Sequence, residues 1–219
     1  MLIIKIVQNE ILLKTLEHLQ LCFFSVFFAI LLALPLAVFL ARSKYLKFSS
    51  FILHFCTVIQ TIPGLALIAL VVSVLVFLKD FFPINATGFF PAIIILTIYG
   101  FLPILTGSYT GIRMVSSNLK DVAKGLSMNS MQILLYVEIP MSLPHIINGV
   151  RLSFVTIIGM ATLTSLIGSG GLGDFIMQGL RSMQIQLILA GTIPAMIIAI
   201  LFNWVISIFD HWVTAKVKD

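Results

Sequence analysis

Few side chains in this 219-residue chain could make or break bonds. Its four histidines, His18, His54, His145 and His211, are scattered near the ends of predicted membrane spans and read as interfacial or hydrogen-bonded groups. Cys22 and Cys56 stand singly in apolar runs, where a lone cysteine acts as a small apolar residue. No Cys/His spacing suits a metal, and no cluster suits catalysis, so no catalytic residue, metal or cofactor is expected. The phosphate-cradling G-x-x-x-x-G-K-[ST] pattern is absent, so any ATP hydrolysis must come from another chain. The chemistry that remains is recognition. Residues 121–140, D-V-A-K-G-L-S-M-N-S-M-Q-I-L-L-Y-V-E-I-P, form a polar insert in a chain otherwise fit for lipid. A charged, helix-forming insert between two spans must emerge into water, where it can touch a soluble partner. Asn129 followed by Gln132 is a capping-box pair, so a second short helix starts there. The insert therefore reads as helix–bend–helix; the plainer alternative is a solvated amphipathic linker.

The elements that must hold this insert are membrane helices. The chain is 60% hydrophobic and 10% charged, with a mean hydropathy of +1.15, whereas soluble domains carry about 25% charged residues. Its apolar runs do not alternate, which favours an all-α membrane protein over a barrel. Residues 1–17 read as an N-terminal interfacial segment with no cleavable signal. Five spans are expected at about 18–40, 51–78, 90–109, 146–168 and 187–209, with a loop at 113–145 and a tail at 213–219. The second is long and holds Gln60, Thr61, Pro63 and Gly64; one tilted, kinked helix is the first reading, and a break at Pro63 giving six spans is the alternative. Pro103 should kink the third. Gly-rich residues 168–173 form a connection, after which Asp174 could cap a short amphipathic helix.

The net charge of +5 sets topology rather than binding nucleic acid. With the N-terminus outside, Arg42, Lys44, Lys47, Arg113, Lys120, Lys124, Arg151, Lys216 and Lys218 lie at the inner side, and Lys5, Lys14, Lys79 and Arg181 lie outside. That places the polar insert and the C-terminus in the cytoplasm. Arg151 should snorkel or pair at the inner edge.

The insert resembles the cytoplasmic coupling loop of ABC-importer permeases, E-A-A-x-x-x-G-x9-I-x-L-P. Asp121 takes the acidic position, Val122 and Ala123 the two small ones, and Val137, Glu138, Ile139 and Pro140 the closing four. The spacing from Ser127 to Val137 matches without insertion. Three positions depart: Asp121 for Glu, Val122 for Ala, and Ser127 for the usual Gly. The last matters most, because a bend that needs positive φ suits glycine; Gly125 could help to make it, or the bend is less sharp. T-I-P-G-L-A-L at 61–67, L-P-I-L-T-G-S-Y-T-G-I at 102–112 and A-T-L-T-S-L-I-G-S-G-G-L-G-D at 161–174 look like the quaternary-amine branch of these permeases, which handles glycine betaine, choline and carnitine. The methionine branch is the nearest rival.

The resemblance covers about residues 18–212 and implies a type I ABC importer permease fold in a bacterial inner membrane. It also implies partners: ABC ATPase subunits, an extracytoplasmic substrate-binding protein that is separate from this chain, and a second permease subunit, identical or paralogous. It assigns transmission to Asp121, Ala123, Ser127, Glu138 and Pro140. Pathway candidates are Gln60, Thr61, Tyr99 and Tyr109, for each of which packing or helix bonding is the plain alternative. A secondary transporter, a channel or a structural membrane subunit are the readings from other classes. The acidic residues Glu17, Asp80, Asp121, Glu138, Asp174 and Asp210 fall near span ends or in loops, which speaks against an intramembrane ion site.

Overall fold

The computed structural model describes the backbone of residues 2–218 and the side chains of residues 9–212. The side chains of Lys5, Lys216 and Lys218, and with them much of the expected interfacial segment and tail, lie outside the described residues. The described chain is built of helices joined by short connections, with no strand among the described residues. Helix α1 (Leu2–Arg42) is a single run through the expected interfacial segment and first span. No glycine or proline occurs before Pro35, so nothing stops the helix at the supposed boundary near residue 17.

The second expected span is two helices, α2 (Leu46–Gln60) and α3 (Gly64–Leu78), bent by 99°. The single kinked helix is thus corrected. Pro63 donates no hydrogen bond and drives Ile62 away from the helical region, so the ladder ends at Gln60. Six spans are not the result either. Each piece is about 22 Å long at 1.5 Å per residue, too short for a ~30 Å hydrocarbon core. Among the described residues four continuous helices are long and apolar enough to cross, and a fifth crossing exists if the bent pair acts as one.

Helix α4 (Phe89–Met114) carries Pro91 in its first turn and Pro103 inside. Then come α5 (Ser117–Gly125), α6 (Ser130–Ile133), a π-helical turn at Leu134–Glu138, and α7 (Ile139–Thr164) closed by a 3₁₀ turn at Ser165–Ile167. Helices α8 (Gly173–Ser182) and α9 (Ile185–Lys218) complete the order.

Helix α4 is the hub, packed against both α1 and α7, which also touch each other. Small residues let the backbones close up. A Cβ on Gly149 would sit 2.7 Å from the Pro103 carbonyl oxygen, and one on Gly107 2.8 Å from that of His145. On α1, Ala29, Ala33 and Ala37 repeat every fourth residue, are fully buried, and pack with Leu102, Ile104 and Leu105 of α4. Near the other end, Leu21, Cys22 and Val26 join Leu96, Phe154 and Leu172, and Phe154 stacks on Phe202 to bring in α9. Many Leu, Ile and Phe on the outside of α1, α3 and α9 remain exposed, as lipid-facing or subunit-facing helices require.

Candidate functional site

The polar insert folds as a compact unit beyond the end of α4. Ser116 opens α5, its hydroxyl accepting from the Leu119 amide at 3.3 Å. The bend that follows is made at Ser127 itself, which takes a left-handed φ of 58°. The Met128 amide bonds the Ala123 carbonyl at 3.1 Å, and the Ser127 amide bonds that of Lys124 at 2.9 Å. These two bonds make a Schellman stop with serine where glycine is usual. Gly125 is only the last helical residue and does not form the bend. A serine held this way costs about 1–2 kcal/mol, which the paired amides offset. Immediately afterwards the expected capping box is present: Asn129 Oδ1 accepts from Met131 and Gln132 amides, and Gln132 Oε1 accepts from the Asn129 amide at 2.7 Å.

The π turn before Pro140 has a local cause. A proline at that point lacks the N–H for the preceding turn and its ring presses on the carbonyl four residues back. Widening the helix relieves this, and the Ile139 amide reaches the Leu134 carbonyl instead.

The insert separates into two faces. Asp121 is exposed and pairs with Lys124 at 2.9 Å. Ala123, 4% exposed, is turned into the insert's own packing, so it is not on the outer face. The outer apolar residues are Leu119, Val122 and Leu126, the last 73% exposed, with Met131, Leu135 and Tyr136 further along. Glu138 is buried, its side chain 4% exposed. Lys120 Nζ lies 3.0 Å from its Oε1, and Arg42 Nε lies 3.4 Å from its Oε2, an ion-pair contact outside hydrogen-bond geometry. The Arg42 guanidinium also donates to the Ser130 carbonyl at 2.9 Å and its hydroxyl at 2.7 Å. One carboxylate therefore draws together the end of α1, helix α5 and the start of α7.

Of the other candidates, three meet at the α2–α3 break. Tyr99 is buried and donates its hydroxyl to the Ile62 carbonyl at 2.7 Å, while Gln60 Nε2 donates to the Tyr99 carbonyl at 3.4 Å. Thr61 is exposed and bonds back to the Val58 carbonyl. Tyr109 lies about 15 Å further along α4 at 1.5 Å per residue and packs with the Ala29–Leu105 cluster. The histidines do not gather, and no group of three metal-binding side chains exists among the described residues. Asp174 does not cap α8; it sits in the first turn and accepts from Lys14 at 2.7 Å. Arg151 is half-buried and forms no ion pair among the described residues.

A helical membrane body with a capped helix–bend–helix unit projecting from it matches known proteins. Residues 33–219 match the family described as binding-protein-dependent transport system inner membrane component. The chain belongs to this family. It is 39% identical over 208 residues to the glycine betaine/carnitine/choline transport system permease protein OpuCB of Bacillus subtilis, covering 95% of this chain and 90% of that one. It is also 39% identical to the choline transport system permease protein OpuBB of the same organism, covering 94% and 89%. A solved methionine ABC transporter in an inward-facing conformation has the same fold, with a TM-score of 0.80 at 20% identity over 93% of this chain and 96% of that one.

As a permease of this family, the chain has a type I ABC importer fold and is a membrane component of the transporter. Sequence reasoning found Glu138 but not its partners Arg42 and Lys120, nor the bonds from Arg42 to Ser130. A signal was available: no basic residue stands three or four positions from Glu138, so a buried carboxylate there had to find its cation at long range.

Proposed function

We propose that this permease carries a quaternary-ammonium osmoprotectant, such as glycine betaine, choline or carnitine, and that it docks an ABC ATPase through the exposed apolar face of α5. A second permease subunit completes the pathway, a binding protein delivers substrate from outside, and hydrolysis takes place in the ATPase. The observation that carries the docking is the exposure of Leu119, Val122 and Leu126 on a rigid, doubly capped unit outside the membrane body. Burying such a side chain against a partner contributes about 1.5–3 kcal/mol. The distribution of Lys and Arg supports a cytoplasmic position for this face, with the N-terminus outside.

Within this reading Asp121 and Lys124 tune the surface, while Ala123, Ser127, Glu138 and Pro140 keep the unit rigid. The ATPase dimer closes, the docked units move together, and the membrane helices swing between inward- and outward-facing states. Gln60, Thr61 and Tyr99 at the break, and Tyr109 beyond, offer a weak passing site. A quaternary ammonium has no N–H to donate, so tight recognition by aromatic faces belongs to the binding protein. The experiment is reconstitution with the cognate ATPase and binding protein. Leu126→Arg should abolish ATPase co-purification while membrane insertion is retained, and uptake should be seen for betaine, choline or carnitine. Retained ATPase binding would refute the docking face; uptake of methionine alone would refute the substrate class.

A further inference from the structure

The chain itself joins the coupling unit to α4 through residues 115–116 and to α7 through the π turn. Helix α1 has no such covalent link, yet it grips the unit. Its last residue, Arg42, donates twice to Ser130 at the start of α6 and faces Glu138, which Lys120 of α5 also holds. Twenty-eight residues earlier, about 42 Å away at 1.5 Å per residue, the same helix grips a second element. Lys14 Nζ bridges Glu17 Oε2 at 2.9 Å and Asp174 Oδ2 at 2.7 Å, and Glu17 Oε2 also accepts the Gly171 amide at 2.9 Å. A Cβ on Gly170 would sit 2.6 Å from that same oxygen, so the glycine connection lies directly against α1. Between the two grips α1 is unbroken through Pro35 and locked to α4 by its buried alanines.

We propose that α1 is a strut of the coupling mechanism. Arg42 takes up displacement of the docked unit, and the Lys14–Glu17–Asp174 clasp delivers it to the glycine connection and α8 at the opposite end. Arg42 is a positioning residue: it acts through Ser130 and Glu138 of the docked unit. The proposal rests on the docking reading above. A packed helix with a charged contact at each end moves as one body, and cutting either contact removes the output without removing the docking.

The test uses the full importer in proteoliposomes, in a Cys22→Ala, Cys56→Ala background with Gln178→Cys on the exposed face of α8. Two quantities are read: glycine betaine transported per ATP hydrolysed, and the change in thiol labelling at position 178 when a non-hydrolysable ATP analogue is added. Arg42→Ala should keep the ATPase bound and hydrolysing but lower the transport ratio about tenfold, the size expected when one contact in a coupling network is cut. It should also remove the nucleotide-dependent labelling change. Arg42→Lys, which keeps the charge and some donors, should recover part of both, and Lys14→Ala should lose the labelling change with docking intact. A purely structural contact would not couple nucleotide binding to labelling so far away. If Arg42→Ala keeps both quantities while Leu126→Arg abolishes ATPase binding, the strut is overturned and the docking face stands. If Leu126→Arg also leaves ATPase binding and transport normal, the docking face falls and the strut with it. Failure of both Arg42→Ala and Arg42→Lys to assemble would overturn the strut, since the cluster would then be a folding element.

Discussion

Glu138→Gln tests whether the buried carboxylate holds the coupling unit together. The substitution keeps shape and removes charge, leaving Arg42 and Lys120 facing a neutral amide. At 3.0 and 3.4 Å each attraction is about 5 kcal/mol for an effective dielectric of ~20, before desolvation takes most of it back. Removing one partner of a fully buried pair costs about 3–5 kcal/mol. Here both cations are 28% exposed, so they rehydrate in part, and Arg42 keeps its bonds to Ser130. We therefore expect less than that range, about 2 kcal/mol, or roughly 4–8 °C in Tm for a chain of this length. The assay is thermal unfolding of the purified permease, run as a double-mutant cycle with Lys120→Met. A coupling energy of about 1–2 kcal/mol is expected between the two sites. The wild-type Tm should also withstand added salt, because the carboxylate is screened little where it is buried. A Tm within one degree of wild type (about 0.3 kcal/mol on the same scale), or a cycle that closes to zero, would refute the reasoning.

Gly149→Ala puts a methyl against the Pro103 carbonyl and should cost about 1–3 kcal/mol by overpacking the α4–α7 contact; an unchanged Tm would show that the two helices part freely. Asn129→Ala removes the acceptor for two amides and should cost about 1 kcal/mol locally, seen as faster hydrogen exchange at Met131 and Gln132. Ser127→Gly should act the opposite way, slowing exchange at Met128, because it relieves a left-handed serine; faster exchange there would show that the bend is not strained.

Much of the site was legible because its determinants are local. The Asn129–Gln132 capping box needs only residues three apart at most, and it formed as read. The bend at Ser127 was visible as a departure, but which residue takes positive φ depends on amides that must be satisfied together, and the sequence left open a bend helped by Gly125 or a less sharp one. The break after Gln60 was legible as a possibility from Pro63 and Gly64; choosing between a kink and a 99° turn required Tyr99, thirty-seven residues past Ile62. Ala123 was recognised as small and apolar, but not the side of α5 it occupies. Arg42, which faces Glu138, and Lys14, which pairs with Asp174, both lie on α1, and no local periodicity around either carboxylate refers to that helix. Five crossings are reached only if the bent pair acts as one, since each of its halves is too short to cross alone.

The Ile62 carbonyl stands at that break with its donor on α4, a helix translated later. A nascent chain that ends before Tyr99 holds α2 and α3 but lacks the hydroxyl that satisfies their corner. In lipid such a carbonyl has no water to fall back on. The corner is therefore a debt carried through biogenesis: the two short helices can reach the bilayer on their own, but their final angle is set only once α4 has docked beside them.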